Sequence, residues 1–151
     1  MPRVKTSTPD GTPTPIGPYS HIAMVDGAIT IGATAGVDPV TDEPAGPDVG
    51  SQTRRILETV RVMLASVGSD LDHVVHVNVY LRSMADFEAM NAAFSEGMGE
   101  HRPARTVIGV ADLPKPGVLV TMGLTAVVAD HPAVRPTSVA AVPGQSRQMS
   151  S

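Results

Sequence analysis

Two short proline-containing segments hold the side chains with which this chain could do chemistry. The segment PIGPYS, residues 15–20, places the phenol of Tyr19 just before an apolar run. The segment RPART, residues 102–106, delivers Arg105 at the start of another. A planar guanidinium can hold a carboxylate through two parallel hydrogen bonds, so Arg105 is where we first expect an anionic small molecule. The plainer alternatives are a core-edge aromatic at Tyr19 and an ordinary strand-end charge at Arg105.

The five histidines are not predicted to form a metal site. His73 and His76 lie three residues apart on a strand-like run, where side chains at this spacing point to opposite faces. The other histidines stand alone, without an acidic cluster. The sequence also contains no phosphate-binding glycine loop, dinucleotide-binding fingerprint or nucleophile elbow. We therefore expect neither a metal nor a cofactor.

The composition argues against several further classes of protein. The 151 residues include no cysteine, which excludes disulfides, thiolate metal sites and thiol nucleophiles. The 11 Lys and Arg residues against 15 Asp and Glu residues give a net charge of −4 with no basic run, so we expect no nucleic-acid partner. No apolar stretch approaches the roughly 20 residues of a spanning helix, and the N-terminus lacks the apolar run of a secretory signal. We expect a cytoplasmic protein with no membrane partner.

Hydrophobic periodicity predicts the elements that must position Tyr19 and Arg105. The predicted strands are residues 21–25, 28–34, 74–81, 105–112 and 118–128. Asp26 and Gly27 suit a two-residue hairpin turn between the first two strands. One predicted helix begins near residues 48–51 and stops at Gly68, and a second begins after Ser83. The last two strands flank a proline-rich turn, and we expect them to pair with each other in an antiparallel manner.

This order predicts an α+β domain spanning residues 15–130, in which two helices cover one face of a sheet. Residues 118–128 are apolar on both faces, so the second face also needs cover. Hydrophobic residues make up 42% of the chain and charged residues only 17%, which favours a symmetric oligomer as that cover. The flanking segments 1–14 and 131–151 are rich in proline and small residues, and we expect both to be flexible.

An ordered set of motifs then resembles a known family. The motifs are IGPYS (16–20), GVDP (36–39), SQTRRILETV (51–60), VVHVNVYL (74–81), DFEAMNAAF (86–94), RPART (102–106) and LP (113–114). Together they resemble the YjgF/YER057c/UK114 family, or Rid family, of enamine/imine deaminases, over about residues 15–128. The resemblance implies a chorismate-mutase-like α+β fold with a mixed β-sheet, a homotrimer, and a ligand cleft at each subunit interface.

The resemblance also implies a reaction and its site. Family deaminases hydrolyse a 2-imino acid, such as 2-iminopropionate, to a 2-oxo acid and ammonia. The arginine that binds the substrate carboxylate corresponds to Arg105, and the family's tyrosine and asparagine fall on Tyr19 and Asn91. An imine carbon needs one attacking water, a proton donor and an anchored carboxylate, and no metal.

Three positions depart from the deaminase pattern. Gly32 stands where relatives commonly have a serine, Val107 replaces a frequent cysteine, and Thr121 replaces a glutamate that handles the attacking water. A threonine hydroxyl can hold a water but does not ionise near neutral pH, which puts general-base assistance worth typically 10²–10⁴-fold in doubt. We assign catalysis to Arg105, Tyr19 and Thr121. We assign substrate binding to Arg105, Tyr19, Asn91, Gly32 and Val107.

Three functions follow from this reading. The first is a deaminase-like hydrolase acting on a small 2-imino or 2-enamino acid. The second is a non-catalytic, regulatory module that binds a small carboxylate. The third is an endoribonuclease, a label carried by some relatives, against which the acidic charge balance argues. A replacement acid from a neighbouring subunit is conceivable at Glu96, Glu100 or Asp112.

Overall fold

A six-stranded sheet carries two helices on one face. The computed structural model describes residues 3–130, with these elements in chain order: β1 (Lys5–Ser7), β2 (Ile22–Val25), β3 (Ala28–Ala35), α1 (Val49–Ser66), β4 (Val74–Leu81), α2 (Phe87–Met98), β5 (Ala104–Gly109) and β6 (Val120–Val127). The strand order is β1-β2-β3-β6-β4-β5, and only the β4–β5 pair is parallel. The predicted α+β class with a mixed sheet and two helices is confirmed. No helix in this part of the chain is long and apolar enough to cross a membrane.

The predicted hairpin joins β2 and β3. Asp26 and Gly27 both have positive φ, 48° and 82°, which matches the twist of the flanking strands in a two-residue turn. Ile22 pairs with Ile31, and both side chains are buried. The core lies between this face of the sheet and the two helices.

Helix α1 begins where the sequence predicts. The Asp48 carboxylate accepts a hydrogen bond from the Ser51 backbone N–H at 2.8 Å and so caps the helix. Its apolar side chains bury one face against the sheet, as predicted. Helix α2 begins later than predicted: Ser83 caps a single 3-10 turn, and the α-helix follows from Phe87.

The predicted antiparallel pairing of the last two strands is wrong. Strand β5 pairs in parallel with β4, and β6 lies between β3 and β4. Residues 120–124 of β6 are all buried, which requires cover on both faces and a neighbour on each side, whereas β5 is mostly exposed. The more apolar strand therefore takes the central position, and β5 becomes an edge.

Strand β1 was not predicted. It pairs with β2 in the segment that we expected to be flexible, so that expectation is wrong for Lys5–Ser7. All three side chains are exposed, and the strand is held by backbone hydrogen bonds that protect the edge of β2. Such a strand leaves no apolar pattern in the sequence. The predicted tail, residues 131–151, lies outside the described residues.

A buried glutamine on α1 forms hydrogen bonds with the loop that precedes this helix and with the loop that precedes β6. The Gln52 Nε2 group donates to the carbonyl oxygens of Gly46 and Gly117 at 2.9 and 3.0 Å. Its Oε1 accepts from the Leu119 backbone N–H at 2.8 Å. The side chain is fully buried, so these three bonds replace the water that it loses. Gln52 thereby fixes the loop that leads into β6.

The sheet face away from the helices is half-exposed in the isolated chain. One row of side chains across it consists of Ala35, Thr121, Tyr80 and Ile108, on β3, β6, β4 and β5. Ile108 is 46% exposed, while the next row includes the polar Asn78 and Thr106. This face is therefore more polar than the sequence predicted, because threonine and asparagine take positions that face away from the helices.

Candidate functional site

Arg105 lies on the helix side of edge strand β5. Its register partner Val77 points into the core, which directs the guanidinium toward α2. Nη2 donates to Oδ1 of Asn91 at 2.6 Å, and Nη1 lies 3.9 Å from the Met90 sulfur. The guanidinium carbon lies 4.9 Å from the centroid of the Phe94 ring, within the range of a cation–π contact. Asn91 and Phe94, one turn of α2 apart, thus fix the orientation of the cation.

The charge of Arg105 has no counterion among the described residues. In residues 3–130, no carboxylate lies within 4.0 Å of its guanidinium. Desolvation lowers the pKa of Arg105, but a guanidinium stays protonated at neutral pH. Most of its five N–H donors are left unused by Asn91 and Met90. A half-buried, oriented and uncompensated cation favours the binding of a small carboxylate.

Tyr19 and Thr121 line a separate cavity of about 90 Å³. Thr121 is 7% exposed, and its β6 position places it on the face away from the helices. Tyr19 is 49% exposed, and its hydroxyl accepts a hydrogen bond from the Ile16 backbone N–H at 3.2 Å. His21 and Thr34 also line this cavity. The predicted tyrosine and threonine are therefore brought together, in a cavity with room for several waters.

The structure does not bring the two groups together within one chain. Strand β4 separates the β5 strand of Arg105 from the β6 strand of Thr121. The two side chains also point to opposite faces, because Arg105 is in register with Val77 and Thr121 with Tyr80. One chain thus contains two separate groups of candidate residues. We call Arg105, Asn91 and Phe94 the arginine half-site, and Tyr19, His21 and Thr121 the threonine half-site.

Of the remaining predicted residues, Val107 lies near the arginine half-site and Gly32 lies near the threonine half-site. Val107 is in register with Val79 and packs partly buried against the core, two residues beyond Arg105. Gly32 lies at a bulge in β3, and its N–H donates to the His21 carbonyl at 3.1 Å. A Cβ atom at Gly32 would meet no heavy atom within 4 Å, so a methyl group fits there.

His21 is the residue that sequence reasoning missed. It is 5% exposed, and Nε2 lies 2.5 Å from the Pro13 carbonyl oxygen. In the sequence it is a lone histidine without an acidic neighbour. The available signal was its position two residues after Tyr19, at the start of the hairpin that also carries Gly32. Within residues 3–130, no group of three His, Asp or Glu side chains could hold a metal ion.

Comparison with known proteins agrees with this architecture. The family described as Endoribonuclease L-PSP matches residues 10–128. A RutC family protein of Pyrococcus abyssi is 41% identical over 73% of this chain and 86% of its own length. The 3-aminoacrylate deaminase RutC of Acinetobacter baylyi is 33% identical over 78% and 93%. The crystal structure of Escherichia coli TdcF with bound serine superposes with a TM-score of 0.76 at 27% identity, covering 82% of this chain and 98% of that one. The match over nearly all of the described residues shows that this chain belongs to the YjgF/Rid family, whose family model bears the Endoribonuclease L-PSP description.

Proposed function

We propose that this protein hydrolyses a small 2-imino or 2-enamino acid to a 2-oxo acid and ammonia. The observation that carries the proposal is the guanidinium of Arg105, which is oriented by Asn91 and Phe94 and has no acidic partner in the described chain. The naming of one relative as a 3-aminoacrylate deaminase supports the reaction class. The serine bound in another relative supports a ligand that carries a carboxylate.

We further propose that the complete site forms between subunits of a homotrimer. The arginine half-site supplies an anchor for the carboxylate, and the threonine half-site supplies a cavity with room for water and with hydroxyl groups in its lining. Neither is sufficient for hydrolysis, and one chain cannot join them. A second copy packed on the half-exposed sheet face, where Ile108 is 46% exposed, would bring a threonine half-site to each arginine half-site.

In this site Arg105 binds the carboxylate and thereby fixes the position of the adjacent imine carbon. The Thr121 hydroxyl holds the attacking water, and the Tyr19 phenol can donate to the imine nitrogen. The imine is already electrophilic, so orientation supplies much of the rate enhancement. Water adds to the imine carbon to form a carbinolamine, which then expels ammonia and leaves the 2-oxo acid.

A specific observation favours one second candidate, a carboxylate-binding module without turnover. Gly32, Val107 and Thr121 lack the serine hydroxyl, the cysteine thiol and the glutamate carboxylate that deaminases of the family commonly have at these positions. The arginine half-site is complete, so binding does not depend on them. The endoribonuclease description of the family finds less support here, because the chain carries a net charge of −4.

The test generates imines from several amino acids in the assay and measures the 2-oxo acid formed above the uncatalysed rate. We expect acceleration by the wild-type protein and a loss of it in Arg105→Ala. Arg61→Ala, which removes an arginine outside both half-sites, is the matched control. No acceleration with any imine, together with retained Arg105-dependent carboxylate affinity, would leave the binding module as the function. A monomeric mass in light scattering would refute the shared site.

A further inference from the structure

The side chain of His21 provides a proton acceptor inside the threonine half-site. Nε2 lies 2.5 Å from the carbonyl oxygen of Pro13. A carbonyl oxygen only accepts hydrogen bonds, so Nε2 carries the proton of this bond. In the neutral ring Nδ1 then keeps its lone pair, which is the form that a general base requires.

The lone pair of Nδ1 is available. Within residues 3–130, Nδ1 makes no hydrogen bond, and the Thr53 hydroxyl is the only fully buried side-chain polar atom without a partner. Nδ1 therefore reaches solvent, although the residue as a whole is only 5% exposed. His21 lines the same cavity as Tyr19 and Thr121, and this cavity is where we expect Nδ1 to meet solvent.

The backbone around His21 holds the ring in place. Its N–H donates to the Thr8 hydroxyl at 3.2 Å, and its carbonyl accepts from Gly32 at 3.1 Å. Ile22, the next residue, points into the core, so strand alternation directs His21 to the face that carries Thr121. The Tyr19 ring packs edge-on with a centroid distance of 6.0 Å.

We propose that His21 is the general base and acid of the hydrolysis, in place of the carboxylate that Thr121 lacks. This inference rests on the proposed deaminase function and deepens it. Nδ1 accepts a proton from water as the oxygen bonds to the imine carbon and the C=N electrons move to nitrogen. The imidazolium returns that proton to the nitrogen. In the carbinolamine, the hydroxyl proton then moves through the same imidazole to nitrogen, the C–N bond breaks, and ammonia and the carbonyl form.

The substitution His21→Gln tests this role without removing the structural hydrogen bond. The glutamine amide can donate to the Pro13 carbonyl but cannot accept a proton. We expect kcat/KM to fall by about 10²-fold or more, in line with the loss of a general base. The affinity for 2-oxobutanoate, measured calorimetrically, should stay within about twofold, because Arg105 holds the carboxylate.

The pH profile separates a base from a structural residue. In the wild-type protein, log kcat/KM should rise with pH along a limb of unit slope, and His21→Gln should lack this limb. Tyr19, Asp42 and Lys115 are the other titratable or charged groups lining the cavity. Asp42→Asn should therefore keep the limb. The matched control is His101→Gln, because His101 Nε2 lies 2.8 Å from the Val74 carbonyl, outside the cavity. This variant should keep both the rate and the limb.

The outcomes distinguish two failures. An active wild-type protein whose His21→Gln variant keeps its kcat/KM and its pH limb overturns the role of His21 and leaves the deaminase proposal standing. A wild-type protein without turnover overturns the deaminase proposal, and the role of His21 with it. A selective loss in His21→Gln, with unchanged 2-oxobutanoate affinity and thermal stability, supports both.

Discussion

The 2.6 Å hydrogen bond between Arg105 Nη2 and Asn91 Oδ1 joins an edge strand to the helix above it. Among the described residues, Asn91 Oδ1 is the only oxygen atom to which the Arg105 guanidinium donates a hydrogen bond. Asn91 accepts without adding a negative charge, so the cation is positioned but not neutralised. An aspartate in the same place would position the guanidinium and also satisfy its charge.

We therefore predict losses of ligand affinity of different size for two substitutions at position 91. Asn91→Asp places a carboxylate against Arg105, which competes with the ligand, and should abolish measurable 2-oxo acid binding. Asn91→Ala loses one hydrogen bond to a charged group, worth about 1.5–3 kcal/mol, and should weaken binding by about tenfold to a hundredfold. Calorimetric titration of both variants measures the difference. Ser66→Ala, on the far helix, is the control, and equal affinities at Asn91→Asp and wild type would contradict the ligand role of Arg105.

The surroundings of Gly32 and Gly36 predict that a methyl group is tolerated at Gly32 but not at Gly36. A Cβ at Gly36 would lie 2.1 Å from the Gln52 carbonyl oxygen, in the backbone of α1, whereas at Gly32 no heavy atom lies within 4 Å. Gly36→Ala must displace the helix that Gln52 joins to the loops, and should destabilise the protein by more than about 3 kcal/mol or prevent folding. Gly32→Ala should change stability by less than about 1 kcal/mol. Denaturant unfolding compares the two, and similar losses would show that the close approach at Gly36 does not matter.

The Asp48 cap predicts a pH dependence of stability. The side-chain hydrogen bond from Ser51, followed by the Ser51 backbone N–H, lowers the pKa of Asp48 below its ordinary value. A carboxylate whose pKa is lowered by folding stabilises the native state above its unfolded-state pKa, and this contribution is lost as the pH falls through the folded pKa. Asp48→Ala should thus lower the melting temperature at pH 7.

The difference in melting temperature between wild type and Asp48→Ala should begin to shrink as the pH falls below the ordinary aspartate pKa of about 4, and it should disappear as the pH falls through the lower pKa of Asp48 in the folded protein. Thermal unfolding at a series of pH values measures it. Glu58→Ala, also on α1 but away from the cap, serves as the control. A difference that stays constant down to the lowest pH would show that the ionised form of Asp48 is not what stabilises the helix.

The sequence predicted those parts of the fold that rest on local rules. The Asp26-Gly27 turn and the α1 stripe were correct because they depend on a turn requirement and on helical periodicity. The position of β6 was not, because strand order depends on which strand has both faces buried, a comparison across the whole sheet. Strand β1 could not be predicted because its contacts are backbone hydrogen bonds, which no side-chain pattern indicates.

The candidate site was predictable only residue by residue. Types and positions pointed to Arg105 and Tyr19, and the resemblance added Asn91 and Thr121. The sequence did not show that Arg105 and Thr121 face opposite sides of the sheet, because this depends on the parallel register of β5. Nor did it show the environment of His21, whose Nε2 bonds to the carbonyl oxygen of a proline that lies eight residues before it.

The substitution Thr121→Glu should restore a carboxylate to the threonine half-site. Thr121 lies beside Ala35 and Tyr80 on the face away from the helices, where a longer side chain can extend into the cavity. If the missing acid–base group limits turnover, we expect kcat/KM to rise, by up to about 10²-fold if the new carboxylate reaches the water. The gain should be largest in the His21→Gln background, because the glutamate then replaces the only other proton acceptor that we infer.

Thr125→Glu is the matched control for this gain of function. It introduces the same charge on the same strand and the same face, but at an exposed position opposite Thr30 and His76, away from the cavity. It should leave the rates of both backgrounds unchanged. A rise in Thr125→Glu equal to that in Thr121→Glu would mean that net charge, and not a proton acceptor at the water, sets the rate. If neither variant raised kcat/KM while His21→Gln remained impaired, a carboxylate on β6 could not take over the role of the imidazole.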